Sequence, residues 1–123
     1  MKILICDDSI YVRTKLSKFL KDYSFEVIEA SNGEEAIAKN KQHSPDIVIL
    51  DIIMPILDGI NAMLQIKKQN KTTPVIMLSN LGQQTQIIEA LQKGADEYIV
   101  KPFDPGKLLA VVEKYKDNKI PND

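Results

Sequence analysis

The chain of 123 residues has one cysteine, one histidine and no tryptophan. A single cysteine excludes an internal disulfide, and the lack of a cysteine and histidine cluster gives no reason to expect zinc. A conventional pair of nucleophile and imidazole base is nearly excluded as well, because Cys6 and His43 are the only residues of their kinds. Cys6 follows an apolar run and is expected to be buried, whereas His43 is expected at the surface near a helix end.

An excess of charge of either sign is also missing. Lysine and arginine number 16 against 17 acidic residues, for a net charge of −1. This balance does not favour bulk electrostatic binding to nucleic acid or to an anionic membrane. No apolar run approaches the roughly 18 residues of a membrane span. Asp7 and Asp8 interrupt the first apolar run too early for a signal peptide. We therefore expect a cytoplasmic protein with no direct nucleic-acid or membrane partner.

The length suits one domain with one core. We predict that residues 1–117 form this domain and that residues 118–123, which are mostly polar, form a flexible C-terminal tail. The tail could equally begin a linker in a longer parent protein. A monomer or weak dimer is expected.

Short apolar runs alternate with amphipathic segments along the chain. The runs are Ile3–Cys6, Val27–Ala30, Ile47–Leu50, Val75–Leu78 and Tyr98–Val100. Unbroken runs of Ile, Val and Leu are typical of parallel strands that are buried on both faces. Between them, apolar residues at helical spacing predict the inner faces of helices: Val12, Leu16, Phe19, Leu20; Ile60, Leu64; Ile87, Ile88, Leu91; Leu108, Val111, Val112, Tyr115. The alternation predicts a single doubly wound α/β domain with right-handed crossovers and a parallel sheet.

Polar residues follow four of the five predicted strands. They are Asp7 and Asp8, Asp51, Ser79, and Lys101. In such folds the crevice at the carboxyl ends of the strands holds the functional site, so these side chains are expected to converge. Each has a simpler interpretation by itself: Asp8 or the next residue, Ser9, as a helix N-cap, Asp51 as loop polarity, Ser79 as a cap or turn, and Lys101 as a solvated lysine. Capping alone does not easily explain all of them together.

The chemistry of this set favours phosphoryl transfer. Three carboxylates close together repel one another, and one would be forced to take up a proton. Mg²⁺ removes that conflict, because it prefers oxygen ligands and keeps several waters. Phosphoryl transfer needs mainly positioning and neutralisation of charge. Lys101 would add a second positive charge, and the Ser79 hydroxyl can donate to a phosphoryl oxygen.

Four motifs carry a resemblance to a known family: ILICDDS, PDIVILDIIMPILDG, VIMLSN and GADEYIVKPF. Over essentially the whole chain the sequence resembles the receiver domain of two-component response regulators, most of all the stand-alone CheY type. The resemblance implies a flavodoxin-like (βα)5 fold with strand order 2-1-3-4-5. It also implies a phosphorylation-dependent switch that takes its phosphoryl group from a histidine kinase and then alters binding to a downstream effector. Autocatalysis of its own phosphorylation and dephosphorylation would not make it an enzyme in the usual sense.

The resemblance assigns roles to the residues at the strand ends. Asp51 is implied to be the phosphoacceptor, with Ser79 and Lys101 as its catalytic partners. Mg²⁺ would be held by Asp8, Asp51 and the backbone carbonyl of Ile53, and Asp7 would act through a metal-bound water.

A switch is implied as well. Ser79 would move toward the phosphoryl group, and Tyr98 would turn inward to fill the space that this movement opens. The face formed by the fourth helix, the fifth strand and the fifth helix would then change shape, as a shift between two pre-existing states. The Lys101–Pro102 bond is expected to be cis, which is uncommon for such a bond. Pro55 and Gly59 resemble the family's turn residues beside the acceptor.

Apolar residues around the predicted pocket give two further hypotheses. Ile10 should be exposed beside the pocket, where it could help to dock the kinase, although a lone exposed isoleucine is ordinary. Ile53 and Leu81 at the pocket mouth are predicted to impede an attacking water, so that the phosphoryl group lasts for minutes or longer. Asn80 departs from the alanine or glycine that many receivers have after the switch hydroxyl.

The sequence suggests three candidate functions, which it favours unequally. A chemotaxis-type output, through a flagellar motor, kinase or other component, is favoured because Gly82-Gln83-Gln84 resembles the start of the fourth helix in some CheY proteins. The alternative is a receiver that acts on a transcriptional or enzymatic effector. A small α/β phosphatase is disfavoured, since no DxDxT motif, P-loop or GxGxxG is present. The cognate kinase and effector cannot be read from the sequence.

Overall fold

The computed structural model describes residues 1–117, and the predicted tail 118–123 lies outside the described residues. Five strands alternate with five helices, as the alternation of apolar runs predicted. In chain order they are β1 Lys2–Cys6, α1 Ile10–Asp22, β2 Glu26–Ala30, α2 Gly33–His43, β3 Ile47–Asp51, α3 Gly59–Gln69, β4 Val75–Ser79, α4 Gln84–Gln92, β5 Glu97–Val100 and α5 Pro105–Asp117. None of these helices has the length and apolar character that a membrane crossing requires.

The strands form one parallel sheet in the order β2-β1-β3-β4-β5. This confirms the flavodoxin-like topology with strand order 2-1-3-4-5. The order reverses beside β1, which pairs with β2 on one side and with β3 on the other. Ligand crevices of doubly wound folds lie at this switch point, outside the carboxyl ends of the strands. The residues that follow β1 and end β3 are therefore placed together by topology.

The apolar core lies on both faces of the sheet. All residues of β3 and β4 are buried, as expected for central strands covered on both sides. The edge strands β2 and β5 are only partly buried. One cluster packs α1 and α5 against the sheet, and its buried members are Ile3, Ile5, Leu16, Leu20, Phe25, Ile47, Ile49, Ile76, Leu78, Ile99, Leu108 and Val112. The other cluster packs α2, α3 and α4 against the opposite face.

At their carboxyl ends, two strands extend one residue further than the apolar runs predicted. Asp51 pairs with Leu78 and Ser79 pairs with Val100, so these polar residues are the last residues of β3 and β4. The hydrogen-bonded ladder continues to the edge of the sheet whether or not the side chain is apolar. Both side chains are thereby held on rigid strands, which fixes them more firmly than a loop would.

The predicted inner face of α4 is partly wrong. Ile87 and Ala90 are buried, but Ile88 is 56% exposed and Leu91 is 38% exposed. Neighbouring residues are rotated by about 100° around a helix of 3.6 residues per turn, so Ile88 and Leu91 lie one step away from the buried pair. They leave an apolar outer face on this helix. In α3 the buried residues are mainly Ile60, Met63 and Ile66, with Leu64 only partly buried.

Candidate functional site

Three carboxylates meet at the carboxyl edge of the sheet. Asp7 follows β1, Asp51 ends β3, and Asp8 comes next to Asp7 in the turn before α1. Oxygen atoms from all three lie within 4.8 Å of one another. Asp7 is fully buried and Asp51 is 3% exposed, whereas Asp8 is exposed to solvent. The structure thus brings these predicted site residues together, with one of them open to a ligand from outside.

A single lysine bridges the two buried carboxylates. Lys101 Nζ lies 3.1 Å from Asp7 Oδ2 and 3.3 Å from Asp51 Oδ1, and its side chain is only 15% exposed. The interpretation of Lys101 as a solvated loop lysine is therefore wrong. Its backbone N–H donates to the Ser79 carbonyl at 2.6 Å, which ties the end of β5 to the end of β4. The Lys101–Pro102 bond is cis, as the resemblance implied.

The turn between β1 and α1 separates the roles of the two adjacent aspartates. Ser9 is the N-cap of α1, because its hydroxyl accepts from the Val12 N–H, so the cap is not Asp8. The Ser9 N–H donates to Asp7 Oδ1 at 2.9 Å, and Lys101 takes Asp7 Oδ2. Both oxygens of Asp7 are therefore engaged by protein donors, while the exposed Asp8 carboxylate is more available as a ligand.

Burial and repulsion make Asp51 reluctant to ionise. Burial, and after it the charge of the Asp7 carboxylate, raise the pKa of Asp51 from 3.8 to about 6, because Lys101 opposes them only in part. For Lys101 burial alone would lower the pKa, but the nearby charges of Asp51 and Asp7 outweigh it and raise the pKa. Two buried carboxylates with one ammonium leave an excess of negative charge. A divalent cation would relieve this excess.

Ser79 is the second unusual group in the pocket. It is fully buried, and among the described residues no atom hydrogen-bonds to its hydroxyl oxygen. A buried hydroxyl without a partner is costly, so most proteins avoid one. The interpretation of Ser79 as a helix cap is wrong, since α4 begins at Gln84 with no side-chain cap bond. The hydroxyl is instead held at the end of β4, next to the strand that ends with Asp51.

The start of α3 packs closely against the end of β3. Any side chain at Gly59 would collide with the backbone carbonyl of Asp51, so α3 can begin here only with a glycine. The Gly59 N–H donates to the Ile52 carbonyl at 2.7 Å. In the loop between β3 and α3, Ile56 has a φ of 72°, a left-handed conformation that is uncommon for a β-branched residue. Sequence patterns contain no signal for that conformation.

Three exposed apolar side chains lie close in sequence to predicted residues of the site. Ile10 is 71% exposed, Ile53 is 55% exposed and Leu81 is 83% exposed. The predicted exposure of Ile10 is thus confirmed, while its docking role stays a prediction. Cys6 is fully buried, and burial together with the charge of Asp7 raises the pKa of its thiol to about 12. The thiol is therefore inert, as expected for a small buried residue.

The outer side of β5 forms an open groove of about 600 Å³. Tyr98 is 46% exposed there, and the groove is also lined by Leu81, Lys101, Lys107 and Val111. The groove connects the lysine of the acidic pocket with the outer surface of α5.

One residue of the site was not predicted from the sequence. Arg13, in α1, donates from Nη1 to the Asp7 carbonyl at 2.7 Å and pairs with Glu29 Oε1 at 3.3 Å. A charged residue on an amphipathic helix is usually solvated, and only the proximity of Arg13 to the acidic turn along α1 could have suggested this contact.

Comparison with known proteins gives consistent results. The family described as "Response regulator receiver domain" matches residues 3–113. The chain is 45% identical over 115 residues to the chemotaxis protein CheY of Listeria monocytogenes, covering 93% of this chain and 97% of that protein. It is 39% identical over 112 residues to the transcriptional regulatory protein ResD of Bacillus subtilis, covering 91% of this chain and 46% of that protein.

The fold is shared with solved receiver domains. The receiver domain of NtrX from Brucella abortus superimposes with a TM-score of 0.90 at 32% identity, covering 95% of this chain and 99% of that one. Receiver domains are signalling modules rather than metabolic enzymes; they take phosphoryl groups from histidine kinases and act on output partners. On its sequence match and its fold, this chain belongs to the response regulator receiver family.

Proposed function

We propose that this receiver accepts a phosphoryl group from a histidine kinase on Asp51, in a reaction that depends on Mg²⁺. The observation that carries the proposal is the meeting of three carboxylates with Lys101 Nζ at the switch point of the sheet. Of the two buried carboxylates, Asp51 has one oxygen paired with Lys101, whereas both oxygens of Asp7 have donors. Asp51 is therefore the better placed nucleophile.

The donor set suits Mg²⁺. All of its candidate ligand atoms are oxygens, which this hard cation prefers. The cation would also neutralise the excess negative charge of the three carboxylates. Asp8, Asp51 and the backbone carbonyl of Ile53 would hold the ion directly, and Asp7 would act through a bound water. When bound, Mg²⁺ supplies neutralisation of the phosphoryl charge and orientation of its oxygens.

The transfer itself uses groups of this chain. A carboxylate oxygen of Asp51 attacks the phosphorus atom of a phosphohistidine, the N–P bond breaks, and its electron pair leaves with the imidazole nitrogen. Lys101 exchanges part of its contact with the carboxylates for a contact with the phosphoryl oxygens. The Ser79 hydroxyl gains an acceptor, which removes the cost of a buried group with no partner.

Phosphorylation then acts as a switch. The phosphoryl group adds about −1.5 to −2 charges at neutral pH and attracts the Ser79 hydroxyl. The movement of Ser79 toward the phosphoryl group opens space into which Tyr98, which is 46% exposed in the free protein, can turn. The groove along β5 and the exposed apolar residues Ile88 and Leu91 of α4 lie on the surface that would change. The phosphoryl group biases two existing states by its different interaction with each.

For the output we favour a chemotaxis-type role in the cytoplasm. The similarity to a chemotaxis protein CheY over 97% of the length of that protein supports this choice. The second candidate is a receiver that acts on a transcriptional effector, which the 39% identity to ResD supports. Binding of a flagellar motor component only after phosphorylation would favour the first output, and its absence would favour the second.

The experiment is intact mass spectrometry after incubation with acetyl phosphate and Mg²⁺, followed by a histidine kinase as donor if acetyl phosphate gives no reaction. Wild type is expected to gain one phosphoryl group, and EDTA or Asp51→Asn should abolish the gain. Asp58→Asn is the matched control, because Asp58 lies in the loop that follows Asp51 but caps α3 outside the carboxylate cluster. A wild-type protein that neither donor modifies would contradict the proposal.

A further inference from the structure

Arg13 bridges three parts of the fold around the acidic site, which we define as Asp7, Asp8, Asp51 and Lys101. Its side chain is 15% exposed and lies against the turn between β1 and α1. Nη1 donates to the Asp7 carbonyl oxygen at 2.7 Å, and Nε pairs with Glu29 Oε1 on the edge strand β2 at 3.3 Å. A hydrogen bond from a charged donor at this length is among the stronger kinds.

With the bond from Arg13, every polar atom of Asp7 has a hydrogen-bond partner. Its N–H donates to the Ala30 carbonyl at 3.2 Å, one carboxylate oxygen accepts from the Ser9 N–H, and the other accepts from Lys101. Arg13 holds the remaining polar atom, the carbonyl oxygen. That oxygen belongs to the peptide unit that joins Asp7 to Asp8. Because a peptide unit is planar and rigid, the direction of its carbonyl fixes where the Cα of Asp8 lies.

Asp8 depends on this indirect support. Its carboxylate is exposed, and in the part of the chain that the structure describes it makes no hydrogen bond or ion pair. Its oxygen nevertheless lies within 4.8 Å of those of Asp7 and Asp51. The backbone of the turn is therefore what keeps the Asp8 carboxylate aimed at Asp51.

We infer that Arg13 is a positioning residue for the metal site, with Glu29 as its anchor. It orients the Asp7–Asp8 peptide unit so that the Asp8 carboxylate faces Asp51 in the free protein, before any cation binds. This inference rests on the proposed function, since it concerns the same Mg²⁺ site. Groups that orient metal ligands without touching the ion typically change metal affinity by about 10- to 100-fold when they are removed.

The alternative is that Arg13 only stabilises the fold. An ion pair elsewhere in the chain, similar to that of Arg13 with Glu29, serves as the control for this alternative. Lys67 Nζ donates to the Thr73 carbonyl at 2.9 Å and pairs with Asp96 Oδ2 at 2.7 Å. The side chains of Lys67 and Asp96 are 19% and 33% exposed, close to the 15% and 40% of Arg13 and Glu29. This pair also joins a cation to a carbonyl and a carboxylate, but at the opposite edge of the sheet.

The test measures Mg²⁺ affinity by isothermal titration calorimetry and folding stability by urea unfolding, on wild type, Arg13→Ala, Glu29→Gln and Lys67→Ala. We expect Arg13→Ala to weaken Mg²⁺ binding by about tenfold or more. Lys67→Ala should leave the Mg²⁺ affinity within about twofold of wild type while it loses comparable stability. Glu29→Gln should give a smaller loss of affinity, about threefold, because Arg13 keeps its bond to the Asp7 carbonyl.

Two results would overturn the inference. If wild type binds Mg²⁺ and Arg13→Ala binds it as tightly as Lys67→Ala does, Arg13 is merely structural, while the proposed function stands. If wild type itself binds no Mg²⁺, the proposed function fails and the inference fails with it. Should Arg13→Ala not fold, Arg13→Lys replaces it, because it keeps the charge but has one nitrogen in place of the Nη1 and Nε that hold the two partners. An affinity for Mg²⁺ in Arg13→Lys equal to that of wild type would then overturn the inference.

Discussion

The amino and carboxyl edges of the sheet differ in how completely their charged groups are paired. At the amino edge each cation and carboxylate that we describe has a partner of opposite charge or a backbone partner. Lys67 binds Asp96 and the Thr73 carbonyl, and Asp96 also accepts from the Val75 N–H at 2.8 Å. The Lys2 N–H donates to Asp46 at 2.8 Å. Here polar groups close off the ends of the strands and loops, and they leave no net charge buried.

At the carboxyl edge two buried carboxylates lack a full counter-charge, and one buried hydroxyl lacks a hydrogen-bond partner. Asp7 and Asp51 share one ammonium, the pKa of Asp51 rises to about 6 because of burial and the charge of Asp7, and the Ser79 hydroxyl has no partner among the described residues. Such local costs persist only where the surrounding structure imposes them, and they are common at functional sites. The contrast teaches that, among the described residues, incompletely paired buried carboxylates and a buried hydroxyl without a partner occur together at the carboxyl edge.

The largest expected effect comes from removing the lysine of the carboxyl edge. In Lys101→Met, Asp7 and Asp51 lose their shared counter-charge, and we expect a loss of about 3 kcal/mol in the free energy of unfolding at pH 7.5 without Mg²⁺. The matched Lys67→Met should cost about 1 kcal/mol, since Asp96 keeps its bond from the Val75 N–H. Urea unfolding checks both. Equal losses at the two edges would break the comparison.

The next effect has the opposite sign. Asp51→Asn should stabilise the Mg²⁺-free protein by about 2 kcal/mol at pH 7.5, because it removes a buried carboxylate whose folded pKa lies near 6 against 3.8 unfolded. Between these pKa values the folded wild type holds a proton that the unfolded chain has lost, so the stability of wild type falls as pH rises through this window. The advantage of Asp51→Asn should therefore vanish toward pH 4. Thermal unfolding between pH 4 and 7.5 measures it, with Asp96→Asn, expected to be destabilising, as the control.

A smaller effect concerns the apolar mouth of the pocket. Ile53→Asn should shorten the lifetime of the phosphoryl group about threefold, or ~0.7 kcal/mol in the barrier, because a polar side chain admits and orients water. Ile88→Asn is the control, since Ile88 is equally exposed, at 56% against 55%, but lies on α4 with its side chain outside the pocket. Loss of phosphate after removal of the donor gives the rates. If wild type releases its phosphate within seconds, the hypothesis of slow turnover is wrong.

The smallest effect on stability is expected for Ser79→Ala. The hydroxyl has no hydrogen-bond partner to lose in the described structure, and its removal relieves a buried polar group of its desolvation cost, so the free energy of unfolding should rise by up to about 1 kcal/mol. The response of Tyr98 to phosphorylation, followed by tyrosine fluorescence or NMR, should nevertheless be lost. A large loss of stability would mean that the hydroxyl is already satisfied in the free protein.

Much of the fold could be predicted, because its main features depend on local patterns. Short apolar runs such as Ile47–Leu50 predict buried strands, and helical spacings such as Leu16 to Leu20 predict the inner faces of helices. Because the two patterns alternate along the chain, they predict a parallel α/β fold. The outer face of α4 was missed because Ile88 and Leu91 are as apolar as the buried Ile87. Periodicity cannot tell a core stripe from a surface left for a partner.

The residues of the candidate site could be named, but their interactions could not. The positions of Asp7, Asp51 and Lys101 at strand ends follow from the order of elements. Ser79 lacks a hydrogen-bond partner, and Arg13 donates to the Asp7 carbonyl. Both features depend on how side chains pack in three dimensions, which the spacing of residue types along the chain does not show. Local sequence patterns contain no signal for either feature.

Reductive trapping of the phosphoryl group tests the central claim most directly. Borohydride converts an aspartyl phosphate to homoserine, and mass spectrometry of the peptides then locates that residue in wild-type protein treated with a phosphodonor and Mg²⁺. The account predicts homoserine at position 51 and none in a sample treated with EDTA. Homoserine at Asp7, Asp8 or Asp58 instead, or phosphorylation that persists without Mg²⁺, would contradict it.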